Sequence, residues 1–204
     1  MDEYNYSYHG SESYCYPDTD VLINKLNIKG DEQLSNAERD ITRLKLLKLF
    51  KSSAPSKFDF ALLCDIHKNI FEDIYKWAGQ ARRGDFFSKG SSIFCRGFLI
   101  QSSADILFDN LAKEKYLCNL NKESFISRMA YYMGEVNALH PFREGNGRTA
   151  REFFRQLALH AEYLLDFSDT KKDELLIADI NAFNGSYENL ITILGNAVRS
   201  VKDL

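Results

Sequence analysis

Cysteine and proline are scarce in this chain, with four cysteines and three prolines among 204 residues. The cysteines (Cys15, Cys64, Cys95 and Cys118) are scattered and form no Cys-x-x-Cys pair. This spacing argues against a disulfide framework and against a zinc site, so reduced thiols are expected.

Long apolar runs and a strong excess of one charge are also absent. No apolar stretch is long enough to span a bilayer, and the acidic, polar N-terminus has no signal-peptide core. We therefore expect a cytoplasmic protein without membrane contact, although export by a route that leaves no such signal stays open. The net charge of −3 gives no electrostatic reason to expect nucleic-acid binding.

The chain does have enough apolar residues for one sizeable core, since 45% of it is hydrophobic and 27% charged. We predict a loose N-terminal segment at residues 1–16 and a single domain at 17–204. Apolar residues recur mostly at spacings of three and four, which predicts a mainly α, or all-α, helical bundle. The expected helices cover about residues 35–50, 60–77, 100–116, 122–139, 148–164, 170–182 and 186–201.

One segment has the pattern of a short β-hairpin. Phe86 and Phe87 precede a Lys89-Gly-Ser-Ser turn, and Ile93 and Phe94 follow it. Apolar runs around a Gly/Ser turn are typical of two paired strands.

The twelve residues HPFREGNGRTAR, from His140 to Arg151, carry the chemistry. Gly145, Asn146 and Gly147 tolerate positive φ, so this turn can direct backbone N–H groups inward as an anion-binding nest. We expect a helix to begin at Arg148, which would place the nest at a helix N-terminus, where phosphate binds well. Arg148 and Arg151 share one helix face with Arg155 and suit phosphate oxygens.

His140 and Glu144 supply the other groups that a nucleotide site needs. A helix that Asn121 caps and Pro141 stops precedes His140, so His140 should project from the helix end toward the turn. A histidine in that place can act as a base at neutral pH. Glu144 is a hard oxygen ligand suited to Mg²⁺. Phe142 is expected to anchor the loop in the core.

Three other interpretations of the motif compete with a nucleotide-transfer site. Gly145-x-Gly147-x-x-Ala150 fits the loose dinucleotide-binding pattern, but a strand must precede those glycines and here a helix does. A zinc site at His140 has no third ligand nearby, and His67 is expected to be structural. A nonenzymatic module that merely retains the pocket stays open.

The twelve residues resemble the signature of the Fic family, His-Pro-Phe-x-Asp/Glu-Gly-Asn-Gly-Arg-x-x-Arg, and match it at every defined position. Residues 66–80 also resemble the family segment that precedes its active-site flap. The resemblance implies a Fic-type helical bundle in which the hairpin of Phe86, Phe87, Lys89, Ile93 and Phe94 covers the site and docks a target protein.

The activity that this resemblance implies is AMPylation, the transfer of AMP from ATP to a Tyr, Ser or Thr hydroxyl of a target protein. His140 would be the general base, and Glu144 would hold Mg²⁺ or Mn²⁺ against the phosphates. The nest and Arg148 would bind phosphates, and Arg151 the γ-phosphate. A related branch, the Doc toxins, has lysine at the place of Gly147 and transfers the terminal phosphate, so a phosphotransferase is the alternative.

Regulation is also suggested by the resemblance. Many members carry an inhibitory motif, Ser/Thr-x-x-x-Glu-Gly/Asn, and this chain has no full match. It therefore resembles the class inhibited by a separate small antitoxin, which would make it the toxin of a toxin–antitoxin pair. A degenerate inhibitory helix within the chain stays open.

Overall fold

The computed structural model describes residues 6–9, 14–52, 55–84, 86–89 and 92–203. Within these residues the chain is a helical bundle with two small antiparallel sheets, as the sequence predicts. The helices are α1 (Asp31–Phe50), α2 (Phe60–Phe71), α3 (Ile100–Lys113), α4 (Lys122–Leu139), α5 (Asn146–His160), α6 (Lys172–Phe183) and α7 (Glu188–Ala197). The strands are β1 (Tyr6–His9), β2 (Phe86–Lys89), β3 (Ser92–Ile93), β4 (Tyr163–Leu165) and β5 (Val198–Ser200).

Helices α4 and α5 form the centre of the bundle. Asn121 caps α4 by accepting a hydrogen bond from the Ser124 N–H at 2.9 Å, as the sequence predicts. Helix α5 packs on α2 and α4, and α4 also contacts α3, α6 and α7. The loop between α4 and α5 is therefore held on several sides by buried helices.

The predicted hairpin is present, and a strand that the sequence did not indicate extends it. Strand β2 pairs with β3 and also with β1, in the register Tyr6↔Lys89 to His9↔Phe86. Residues 1–16 were expected to be loose, and of these residues 1–5 and 10–13 lie outside the described part of the chain. In the described part, β1 is paired and Tyr14 packs edge-on against Trp77. The segment YSYH has no apolar alternation that would predict a strand. It forms one because strand β2 pairs with it.

Several predicted helix ends were wrong, for identifiable reasons. Helix α1 begins earlier, at Asp31 after the extended Gly30, and acidic Asp31 and Glu32 favour a first turn there. Helix α2 ends at Phe71, although Ile74 is buried in the turns that follow. The apolar spacing up to Trp77 therefore reflects the burial of these side chains and not a continuation of the helix.

The C-terminal helices are also shorter than predicted. Helix α5 stops at His160, since Glu162 has a φ of 64° and reverses the chain into β4. The last helix ends at Ala197, and the following residues pair with β4 as β5. Helix α6 begins after Lys171 rather than at residue 170, and no side chain caps it.

Candidate active site

The α4–α5 junction bends through two residues in left-handed conformation. His140 ends α4 with φ 42° and ψ 60°, and its N–H donates to the Val136 carbonyl at 3.1 Å. Gly145 precedes α5 with φ 82°, and a Cβ there would lie 2.2 Å from the Phe71 ring. Only glycine satisfies both conditions at position 145.

The turn at residues 145–147 differs from the predicted nest. Helix α5 begins at Asn146 rather than Arg148, so Gly147 is helical and only Gly145 has positive φ. The N–H groups of Asn146, Gly147 and Arg148 are those of a helix N-terminus, which have no acceptor within the helix. The first helical turn itself can therefore serve as an anion site.

Two side chains hold this turn in place. The Asn146 amide pairs with both backbone groups of Phe142, accepting from its N–H at 2.9 Å and donating to its carbonyl at 2.7 Å. Phe142 is fully buried and stacks on His67 with ring centroids 3.9 Å apart. The Asn146 side chain therefore stabilises the loop, and its backbone N–H remains the group that could bind an anion.

His67 on α2 connects the loop to the core. The Gly79 N–H donates to its Nδ1 at 2.8 Å, so Nε2 carries the proton and donates to the Glu144 carbonyl at 3.0 Å. Burial lowers the pKa of His67 to about 4, against the Glu144 hydrogen bond, which raises it. His67 is therefore a neutral structural residue, as the sequence indicates.

The His140 ring lies beneath the hairpin. It is 6% exposed and stacks on Phe94 with centroids 3.8 Å apart, and the Phe87 ring lies 5.7 Å away. Phe94 in turn contacts Phe183 of α6 edge-on. The residue assigned as the base is thus covered by apolar side chains of the hairpin.

Glu144 and Arg148 interact with each other where the junction meets α5. Glu144 Oε1 accepts from the Gly145 N–H at 2.8 Å and lies 3.4 Å from Arg148 Nη2. Arg148 Nη2 also donates to Glu38 Oε1 of α1 at 2.5 Å. Two carboxylates therefore bind the Arg148 guanidinium. The resemblance implied that this guanidinium binds phosphate, and in the structure it is already paired with Glu38 and Glu144.

Glu38 and Tyr75 complete that network. The Tyr75 hydroxyl donates to Glu38 Oε2 at 2.5 Å, and burial, reinforced by Glu38, raises the pKa of Tyr75. Arg148 donates to the Thr42 hydroxyl at 3.3 Å and lies over the Phe71 ring. Sequence reasoning missed Glu38 and Tyr75, because nothing in their local pattern ties them to the motif.

Arg151 is the less engaged of the two motif arginines. Burial lowers its pKa, nearby Asp179 raises it, and Arg148 lowers it. Burial raises the pKa of Asp179 to about 6, against the effect of Arg151. A Cβ on Gly147 would lie 3.1 Å from Arg151 Nη1, so glycine leaves room for this guanidinium.

A cavity of about 1830 Å³ opens beside this arginine cluster. Helix α1, helix α5 and strand β4 line it, and Glu144, Arg148 and Arg151 lie at its wall. The cavity is large enough for a nucleoside triphosphate and a further ligand.

The chemistry of a divalent cation fits Glu144. Among the described residues no group of three or more His, Cys, Asp or Glu side chains could hold a metal alone. Mg²⁺ does not need such a cage, because it is usually bound by one or two carboxylates together with substrate phosphates. Glu144 lies at the cavity wall, and its carboxylate is the group that would hold such an ion.

The structure separates the hairpin residues. Phe87 and Phe94 are buried against His140, whereas Ile93 is 59% exposed. The side chains of Phe86 and Lys89 lie outside the described part of the chain. In the described ranges, no helix is long and apolar enough to cross a bilayer.

Comparison with known proteins identifies the arrangement. The sequence profile of the Fic/DOC family matches residues 57–158. Protein adenylyltransferase VbhT of Bartonella schoenbuchensis is 39% identical over 188 residues, which cover 92% of this chain and 39% of VbhT. The probable protein adenylyltransferase Fic of Escherichia coli K12 is 37% identical over 164 residues, 80% of each chain.

A solved structure agrees with these sequence relatives. BepC of Bartonella tribocorum, a VirB-translocated effector with bound AMPPNP, superposes with a TM-score of 0.85 at 25% identity, covering 92% of this chain and 96% of that one. The chain spans less than half the length of VbhT but four fifths of the E. coli protein. With half of its residues matched by the family profile and the His140–Arg151 signature at the α4–α5 junction, the chain belongs to the Fic/DOC family.

Proposed function

We propose that the protein is an adenylyltransferase that transfers AMP from ATP to a Tyr, Ser or Thr hydroxyl of a target protein. The observation that carries this proposal is that His140 and the charged residues that follow it have different surroundings within one motif. His140 lies under the hairpin, whereas Glu144, Arg148 and Arg151 line the open cavity.

The reaction follows from these positions. The target hydroxyl oxygen attacks the α-phosphorus of ATP, the bond from that phosphorus to the β-phosphate oxygen breaks, and pyrophosphate leaves. His140 takes the hydroxyl proton. The N–H groups of Asn146, Gly147 and Arg148 bind phosphate oxygens, and Arg151 binds the γ-phosphate.

Mg²⁺ supplies charge neutralisation on the phosphates when it is bound, and Glu144 would hold it. Arg148 keeps Glu144 oriented, since it lies 3.4 Å from that carboxylate and is itself fixed by Glu38. Arg148 thus contributes more to orienting the ligand carboxylate than to gripping phosphate.

The target docks on the hairpin as an extended strand. Strand β2 already has a neighbour on each side, because β1 and β3 both pair with it. The target therefore adds at the outer edge of β3, near exposed Ile93, or displaces β1. Phe87 and Phe94 act from below by enclosing His140 rather than by touching the target.

The experiment that tests the activity uses two labels. The protein is incubated with Mg²⁺, a lysate and either α-labelled or γ-labelled ATP, with a parallel sample in EDTA. AMPylation gives Mg²⁺-dependent protein label from α-labelled ATP alone. Label from γ-labelled ATP alone would establish the phosphotransferase instead, and no label from either would leave an idle nucleotide-binding module.

We also propose that a separate small antitoxin inhibits the protein. The cavity beside Arg151 extends along α1 and α5, and Leu47 and Phe50 at its edge are 53% and 66% exposed. An apolar helix of the antitoxin would cover them and place a carboxylate near Arg151. A small protein should copurify with the wild-type chain from its native host and be lost with Leu47→Glu; equal recovery with both would contradict this site.

We propose that the protein acts in the cytoplasm. Within the described residues the four cysteines form no disulfide bond, which fits a reducing compartment.

A further inference from the structure

Arg82 lies immediately before the hairpin, and only 1% of it is exposed. Its backbone N–H donates to the Pro141 carbonyl at 2.7 Å, and its Nε donates to the His140 carbonyl at 2.8 Å. Its Nη2 donates to the Cys95 carbonyl, where the chain leaves the hairpin. One buried residue therefore bonds to both the His140 backbone and the hairpin.

The connection continues on both sides of Arg82. The guanidinium carbon lies 4.7 Å from the centroid of the Phe87 ring, which itself contacts the His140 ring. The Cys95 N–H donates to the Ala138 carbonyl at 3.1 Å. The chain entering the hairpin and the chain leaving it are thus both hydrogen-bonded to the end of α4.

This end of α4 needs such support. The final carbonyls of a helix accept no hydrogen bond from within the helix. His140 is also in a left-handed conformation, which a non-glycine residue adopts at a cost in free energy. Bonds to the carbonyls of Ala138, His140 and Pro141 satisfy these groups and hold that conformation.

We propose that Arg82 is a positioning residue that couples the hairpin to His140. It keeps the docking surface and the base in a fixed position relative to each other. The inference rests on the proposed function for its catalytic consequence, but the geometric part stands independently. Arginine is required because its planar fork donates from Nε and Nη2 to two carbonyls at once. A lysine retains the stem and charge but has a single nitrogen for both.

The test compares Arg82→Lys with Arg83→Lys, a matched change at the exposed neighbouring position. The rate constant kcat for AMP transfer should fall about 10²-fold in Arg82→Lys, because small misplacement of a reacting group has effects of that size. The Kd for ATP should stay within about twofold of wild type, since the hydrogen bonds described for Arg82 go to the His140, Pro141 and Cys95 carbonyls and not to the proposed phosphate site.

An NMR measurement separates positioning from a general structural role. The chain has four histidines, so imidazole ring signals can be assigned with His→Gln variants. The His140 ring stacks on Phe94 and its protons should be shifted by the ring current, and this shift should diminish in Arg82→Lys. The His67 signals should stay unchanged, because they report the intact core.

The outcomes are distinct. A diminished His140 shift with intact His67 signals supports the proposal even if no chain transfers AMP, a result that would refute the proposed function alone. Unchanged His140 signals and kcat in Arg82→Lys would overturn it. If Arg82→Lys also loses the His67 signals, the same measurement on Arg82→Gln, which retains one donor and removes the buried charge, decides the question.

Discussion

The two ends of the His140–Arg151 motif lie in opposite environments. The His140 end is covered by Phe87 and Phe94 and is only 6% exposed, whereas the arginine end faces a cavity of about 1830 Å³. An enclosed base and an open anion site fit a reaction with two substrates, since the nucleotide and the protein hydroxyl must approach from different sides. The comparison predicts that changes at each end affect different steps.

The largest effect should come from removing the enclosed base. His140→Ala should lower the rate of AMP transfer by roughly 10²–10⁴-fold, the usual contribution of a general base. The Kd for ATP, measured by calorimetry, should be unchanged because the anion site lies at the other end of the motif. Wild-type transfer rates in this variant would show that His140 is not the base.

Variants of the two motif arginines should affect different properties, ATP binding in one case and the stability of the fold in the other. Arg151→Ala should weaken ATP binding about tenfold to a hundredfold, the size of a lost charge-assisted hydrogen bond. The same variant should lose little stability, because burial already disfavours the Arg151 charge.

Arg148→Ala should lose stability and change ATP binding little. It leaves Glu38, with a side chain 12% exposed, without its ionic partner, so the free energy of unfolding should fall by about 2 kcal/mol. Urea unfolding and ATP calorimetry on both variants make the comparison, with Arg39→Ala as the control because that side chain is 71% exposed. Equal losses of affinity and stability in the two variants would contradict distinct roles.

The support of the loop by His67 should make stability sensitive to acid. The pKa of His67 is about 4 in the folded protein, below the usual 6.5, so the unfolded chain binds more protons between these values. Stability is therefore complete above about pH 6.5 and falls as the pH drops, by about 2 kcal/mol at pH 5.

The check for His67 is a variant that keeps both hydrogen bonds without titrating. His67→Gln should lose about 2 kcal/mol less than wild type between pH 7 and pH 5 in urea unfolding. Asp179, with its pKa raised to about 6, acts in the opposite direction but is present in both proteins. Identical pH dependence in the two would refute the neutral state of His67.

The smallest effect concerns strand β1. Deleting residues 1–9 frees one edge of β2, so kcat/KM for a target protein should rise on the order of two- to fivefold as the competing strand is removed. The KM for ATP should not change. A lower kcat/KM would instead mean that β1 helps to dock the target.

The helical frame and the motif were predictable because both are local. Helix α4 runs from Lys122 to Leu139 with its Asn121 cap, as predicted, since apolar spacing, cap and stop signal all agree there. Helix α5 was misplaced at both ends, because Asn146 and Gly147 can equally form a turn and Tyr163–Leu165 forms a strand only with a partner. Gly145, Asn146 and Gly147 were expected to tolerate positive φ, and of these three only Gly145 has it.

The amino-acid sequence by itself determined the fold class and the twelve residues that carry the chemistry, since helix periodicity, capping and turn chemistry are encoded within a few neighbouring positions. Tertiary structure alone decided which groups act together. Glu38 lies 110 residues from Arg148, and Arg82 lies 58 residues from His140, so their hydrogen bonds depend on how distant helices pack. The same long-range packing closed the hairpin over His140 and left the arginine end open.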